Sequence, residues 1–202
     1  MTISRAFTFL TLLLPACHGS SAPTSPASGA GTVDVAGHWV SDCTPSPDGK
    51  GRFRMDFHNT TTRWQMAYTV FGDDTCSTPL VQVDVAGPYE IGDVSPTVAG
   101  ARDATFRFDT KTVTPKIQAL ADAINQMPGC GGGFALGTAK DVYEHGCPEL
   151  GQYPKATCAA DYDLVARDGD ALRFSQRPAD NNLCTPDHRP AALSQLVLHR
   201  KA

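Results

Sequence analysis

Apolar and polar residues alternate with a period of two through much of this chain. In Arg52–His58 the side chains of Phe53, Met55 and Phe57 fall on one face, with Arg54, Asp56 and His58 on the other. In Arg63–Val70 the apolar face is Trp64, Met66, Tyr68 and Val70. Successive side chains of a strand point to opposite sides, so each stretch reads as a strand with one face buried and one wet. Asn59-Thr60-Thr61-Thr62 between them supplies a polar hairpin loop. Gly37–Cys43 reads as the first strand, and further strands are expected at Leu80–Val85, Tyr89–Ile91, Ala104–Phe108 and Phe134–Leu136. Asp73-Asp74, Ala86-Gly87-Pro88 and Gly92-Asp93 supply the breaks. Tyr162–Ala166 and Ala171–Phe174 flank an Asp-Gly turn at Asp168-Gly169, a strong hairpin signal. Leu193–Arg200 alternates again, as a closing strand would.

One stretch changes period. Ile117, Leu120, Ala121, Ile124 and Met127 recur at helical spacing and make a single apolar stripe. Thr114 as N-cap and Pro115 at the first helical position would open this helix, and Pro128-Gly129 would end it. The stripe predicts packing on the outside or across one end of a barrel; the sharper alternative is a mobile lid over a cavity.

Composition fits many short strands joined by turns, since 18 glycines and 15 prolines accompany only 19% charged residues. The net charge of −4, without a basic patch, excludes nucleic acid as the expected partner.

The N-terminus carries a different signal. Arg5 precedes the apolar run Phe7–Leu14, which is shorter than the roughly 20 residues that cross a bilayer. It reads as the core of a secretory signal. Leu14-Pro15-Ala16-Cys17 resembles the lipobox of bacterial lipoproteins, whose cysteine becomes the acylated N-terminus, carrying chains such as palmitate, after the signal is cut. Lipidation of Cys17 also explains why the cysteine count, seven, is odd. Gly19–Thr32 is rich in Ser, Pro, Ala and Gly and has no charge, which suits a solvated tether. The expected organisation is a lipoprotein signal peptide over residues 1–16, acylated Cys17 with a flexible linker over 17–33, and a disulfide-bonded β-barrel domain over 34–202. The expected location is the bacterial cell envelope, lipid-anchored and facing the periplasm or the cell surface.

Cys43, Cys76, Cys130, Cys147, Cys158 and Cys184 remain, and none form a Cys-x-x-Cys pair. Three structural disulfides are expected of them in an oxidising compartment. Chain order alone suggests Cys43–Cys76, Cys130–Cys147 and Cys158–Cys184, out of 15 pairings open to six cysteines.

Enzyme motifs are missing: the chain has no G-x-S-x-G elbow, H-E-x-x-H, P-loop or dinucleotide fingerprint. Cys130-Gly131-Gly132-Gly133 lacks the pattern of a phosphate loop, and Asp161, Asp163, Asp168 and Asp170 lack the spacing of a calcium loop. No catalytic residue, metal ligand or cofactor is expected.

Gly37-His38-Trp39 near the start and Arg200 on the last strand resemble the sparse signature of the calycin superfamily, which includes the lipocalins. That resemblance implies that Trp39 closes one end of a barrel and that Arg200 lies over its ring. Within the class, Gly37-x-Trp39-x-Ser41-x-Cys43, Trp64, Asp74-Thr75-Cys76 and Gly87-x-Tyr89 look like the domain of the adenomatosis polyposis coli down-regulated family. That family's barrels accommodate lipid; its usual run of residues after the first cysteine is replaced here by Thr44-Pro45-Ser46-Pro47.

The fold expected is mainly β: an antiparallel up-and-down, lipocalin-like barrel with one amphipathic helix and three disulfides. Its interior candidates for a ligand are Phe53, Met55, Phe57, Trp64, Met66, Tyr68, Phe106 and Phe108. The leading expectation is an envelope lipoprotein that binds a lipid or other small apolar molecule. The alternative is a filled barrel that binds an envelope protein partner, and a hydrolase of unknown type stands third. An apolar void of several hundred Å³ separates the first two.

Overall fold

The computed structural model describes residues 33–46, 49 and 51–202. Signal peptide 1–16, Cys17 and all of the linker but residue 33 lie outside the described residues. Along the chain come β1 (Gly37–Ser41), β2 (Thr44–Pro45), β3 (Arg52–Asn59), β4 (Arg63–Phe71), β5 (Pro79–Val94), β6 (Arg102–Arg107) and β7 (Thr110–Pro115). Helix α1 (Gln118–Gln126) follows, then β8 (Lys140–Asp141), β9 (Ala160–Asp168), β10 (Ala171–Phe174) and β11 (Leu198–Arg200).

Eight of the strands close an antiparallel barrel in the order β1-β3-β4-β5-β6-β9-β10-β11, with β11 returning to β1. Closure leaves none of these strands with a free edge. Strict alternation on β3 and β4 sets their register: Phe53 faces Val70, Met55 faces Tyr68 and Phe57 faces Met66. A slip of one residue would turn this whole apolar set outward.

β5 corrects the expectation of two strands broken at Ala86-Gly87-Pro88. It runs unbroken over 16 residues, and its two halves use different partners on one edge. Val81–Ala86 pair with β7, and Tyr89 to Val94 pair with β6. Between them β6 runs into β7 through Phe108 and Asp109, so Gly87 and Pro88 have no ladder partner on that edge. A proline is tolerated where no N–H has to be donated. Gly87 is required by proximity: a Cβ there would stand 2.0 Å from the Arg107 carbonyl oxygen.

Three further expectations change. Thr114 and Pro115 end β7, opposite Gln82 and Val81, and do not open the helix. Ladder pairing with β5 takes them, so α1 begins later, after Ile117, with no side-chain cap. Phe134–Leu136 is not a strand; Phe134 is buried against the core, and its backbone exchanges two hydrogen bonds with the Asn125 side chain of α1. The closing strand is short, Leu198–Arg200, and the segment before it packs back against β9 around Leu183 and Arg189. There the Leu183 carbonyl accepts from Tyr162 N–H, and Arg189 pairs with Asp103 and lies over the Tyr162 ring.

Up-and-down connectivity places the connections alternately at the two ends. Trp39, fully buried, marks the closed end: its indole N–H donates to the Val35 carbonyl at 2.9 Å. The other end is a mouth, and all three disulfides lie there. Cys43–Cys76 ties the β1–β2 corner to the β4–β5 loop. Cys130–Cys147 closes the segment between α1 and the turn Pro148–Leu150, and Cys158–Cys184 ties the start of β9 to the β10–β11 connection. Loop chain without regular pairing is held at this end by crosslinks that limit the unfolded ensemble.

A cavity inside the barrel

The barrel encloses a cavity of about 790 Å³. That lies within the range of small-molecule sites, roughly 300–1,000 Å³. Phe53, Met55, Phe57, Trp64, Met66, Tyr68, Phe106 and Phe108 all line it, joined by Val81, Val83, Val85 and Phe174. Period-two alternation brings these side chains to one space: each occupies an inward position on β3, β4, β5, β6 or β10, or on the β6–β7 corner. The aromatic rings brace one another. Phe57 stacks on Phe174 with centroids 4.7 Å apart, Phe53 on Tyr68 at 5.2 Å, and Trp64 meets Phe106 edge-on at 5.1 Å. The Trp64 indole N–H donates to the Arg107 carbonyl at 2.9 Å, so its one polar group is satisfied without water.

One region of the lining is polar, and its residues carry no sequence motif of a site. Lys111 of β7, Asp161 and Asp163 of β9, and Ser175, Gln176, Arg177 and Asn181 beyond β10 all face the cavity. Arg177 donates to Asp161 Oδ2 from both terminal nitrogens, one at 3.0 Å, and its Nε donates to Asn181 Oδ1 at 2.7 Å. Asp163 Oδ1 accepts from the Ser175 hydroxyl, from Ser175 N–H at 3.0 Å and from Leu164 N–H at 2.7 Å. Burial pushes the Asp163 carboxyl above its ordinary value, against the pull of Arg177 and of the two Ser175 donors.

Lys111 is 3% exposed. Its Nζ donates to the Tyr153 carbonyl at 3.2 Å and to the Cys158 carbonyl at 3.5 Å, and sits 3.8 Å from the Phe108 ring centroid. Burial pushes this lysine down to about 8, with Asp161 opposing the shift and Arg177 adding to it.

The rim of this region is stitched together. Asn181 donates from Nδ2 to the Gly151 carbonyl at 3.1 Å, and the Tyr153 hydroxyl donates to the Asp180 carbonyl at 2.7 Å. With Cys158–Cys184 these contacts join the segment around residues 150–158 to the segment 178–184. These two segments, and not α1, border the cavity, so the helix is no lid: its Ala121 and Ile124 pack into the core instead.

Titratable groups therefore converge in one cleft, which is what a hydrolase would need. Each carboxylate, however, is engaged by donors of its own, and among the described residues lining the cavity none is a histidine. The arrangement holds charge in fixed places. Asp168 and Asp170 are part of the β9–β10 hairpin region, away from the inward pair Asp161 and Asp163, so the acidic run makes no single cluster.

Outside the barrel, His38 and His58 are cross-strand partners with rings stacked at 3.9 Å. Both Nε2 atoms approach Asp56 Oδ1, at 2.9 and 3.1 Å, and the three ligand-type atoms lie within 4.8 Å of one another. Among the described residues this group has metal-ligating chemistry, where no metal ligand was expected from the sequence. Residues 20 apart on neighbouring strands carry no motif; only the strand register reveals them.

At the closed end the Arg200 guanidinium lies 5.4 Å from the Trp39 ring centroid, and Arg167 of β9 lies 5.2 Å from it. No family model matches this chain.

Proposed function

We propose that the barrel carries a lipid or other small apolar molecule in its cavity, and that Cys17 tethers it to a membrane of the bacterial envelope. The observation that supports the binding reading is the aromatic and aliphatic lining around a space of about 790 Å³. A barrel filled by its own side chains, as the partner-binding alternative has it, would leave no such space. The apolar lining offers a ligand transfer out of water worth about 25 cal/mol per Å² of surface it covers. The resemblance to lipocalins and to the adenomatosis polyposis coli down-regulated domain points the same way.

The tether reading rests on the lipobox-like Leu14-Pro15-Ala16-Cys17 and the uncharged segment after it. Among the described residues no helix is long and apolar enough to cross a membrane. Several acyl chains on one N-terminus give stable attachment where one does not.

The experiment is a titration of the full chain with cis-parinaric acid, following energy transfer from its tryptophans. Saturable binding of one probe per chain is expected. A linear, unsaturable signal equal to that of an unrelated protein would refute the carrier reading. Cys17→Ser should release the protein from membranes; unchanged retention would refute the tether.

A further inference from the structure

We infer that the ligand is an amphiphile with an anionic head, a carboxylate such as that of a fatty acid, and that Lys111 receives this head inside the cavity. The inference rests on the carrier reading above and names the ligand class for it.

Four ionisable side chains meet in this part of the lining: Lys111, Arg177, Asp161 and Asp163. Arg177 and Asp161 neutralise each other through paired hydrogen bonds. Asp163 spends one oxygen on a hydroxyl and two backbone N–H groups. Neither Asp163 nor Lys111 makes an ion pair within 4.0 Å among the described residues, and of the two cations in this lining only Lys111 is without one.

What Lys111 has is partial. An ammonium carries three N–H donors. Two of them find backbone carbonyls, the second at 3.5 Å, the outer limit of a hydrogen bond. The Phe108 ring adds a cation–π contact. Neither a carbonyl nor a ring cancels a full charge, and an unneutralised buried charge is costly. One N–H donor is left over, and the ammonium has no carboxylate within 4.0 Å, on a residue that lines the cavity.

Lys111 faces Val85 across the β5–β7 ladder, and Val85 faces Met66 across β4–β5. Val85 and Met66 belong to the apolar lining, so the ammonium stands beside the space where a hydrocarbon chain would lie. A charged head at Lys111 and a tail among Phe57, Met66, Trp64 and Phe106 is one continuous binding path. A purely apolar ligand would leave the lysine buried and unpaired. A cationic head would meet Lys111 and Arg177 together.

The test compares dodecanoic acid with dodecanol, which share a chain and differ in the head, each displacing a bound fluorescent probe (1-anilinonaphthalene-8-sulfonate for the cavity, checked with uncharged N-phenyl-1-naphthylamine). The full chain is used, as wild type, Lys111→Met and Lys111→Arg. A hydrogen bond to a charged group predicts that wild type favours the acid by about tenfold or more. Lys111→Met should lose that preference and keep its affinity for the alcohol, while Lys111→Arg should retain the preference. Equal affinity of wild type for acid and alcohol overturns the anionic head and leaves the carrier reading standing. So does a Lys111→Met protein that still prefers the acid. If neither ligand displaces either probe from wild type, the carrier reading fails and this inference with it. The wild-type comparison needs no variant, so misfolding of Lys111→Met cannot hide a negative result.

Discussion

Trp39 and Arg200 are directly opposed across β1 and β11, and the Arg200 guanidinium lies 5.4 Å from the indole centroid. The pair joins the first and last strands of the barrel at its closed end. Gly37 belongs to the same unit. Its φ of +131° suits glycine, and a Cβ there would stand 3.2 Å from an Arg200 guanidinium nitrogen. The Gly-x-Trp spacing thus leaves room for an arginine that arrives from the far end of the domain. A second arginine, Arg167, shares the ring.

Truncating Trp39 to alanine should cost about 3–5 kcal/mol, the usual loss for a buried Trp. Arg200→Met should cost roughly 0.5–2 kcal/mol. In a double-mutant cycle read by urea denaturation, the double variant should lose measurably less than the sum. Strict additivity would mean that the two side chains do not stabilise each other.

Gly87→Ala should destabilise the barrel although it adds one methyl group. The new Cβ would meet the Arg107 carbonyl oxygen at 2.0 Å, and that oxygen also receives the Trp64 indole N–H. Backbone must move, at about 1–3 kcal/mol, and Trp64 emission should shift to the red as its hydrogen bond is lost. An unchanged midpoint with unchanged emission would contradict the close crossing of β5 with the β6–β7 corner.

Replacing Cys158 and Cys184 together by serine should cost about 2–5 kcal/mol. Hydrogen exchange should accelerate in residues 150–158 and 178–184, which that bridge joins at the mouth, while β1 and β11 at the closed end stay protected. Uniform acceleration over the whole barrel would show that the crosslink does not act locally on the rim.

Val83→Phe tests whether the space is empty. Val83 lines the cavity, between Tyr68 on β4 and Val113 on β7. An added ring should occupy ligand volume, weakening probe binding at least tenfold with stability changed by less than about 1 kcal/mol. In a solidly packed barrel the same substitution overpacks the core and costs about 1–3 kcal/mol.

Affinity for an anionic amphiphile should depend on pH with a definite sign. Only protonated Lys111 attracts the head, and burial holds that lysine near 8. Asp161 opposes this shift and Arg177 adds to it; Asp163 lines the same cavity, and the Tyr143 ring centroid lies 5.9 Å from the ammonium. Affinity should stay level from neutral pH to about 8 and fall above it, because binding must then bring a proton back to the amine. Dodecanol should show no such fall. Parallel curves for acid and alcohol would contradict the role given to Lys111.

The apolar half of the site was legible in the sequence and the polar half was not. Phe53, Met55, Phe57, Trp64, Met66 and Tyr68 alternate with polar residues, and alternation alone puts them on one inner face. The pairing of cysteines by chain order holds because neighbouring mouth loops are also neighbours in an up-and-down barrel. On β9 the same rule misleads. There Tyr162 and Leu164 look like the inward set, yet Asp161, Asp163 and Val165 occupy the phase that faces the barrel. Arg189 of the β10–β11 connection lies over the Tyr162 ring and Leu164 is fully buried, so β9 is buried on both sides and its pattern does not tell inside from outside. Lys111 was hidden for a related reason: a lysine between two threonines reads as solvated until the ladder with Val85 turns it inward. Thr114-Pro115 has the local chemistry of a helix start, and long-range pairing with β5 overrode it.

Native mass spectrometry of the full chain purified from cells tests whether this barrel holds a ligand. The predicted result is a population heavier than the bare chain by the mass of one long-chain amphiphile, released on denaturation and identifiable in organic extract. A single species at the mass of the chain with its own covalent modifications, which also fails to gain mass when dodecanoic acid is added, would contradict the account.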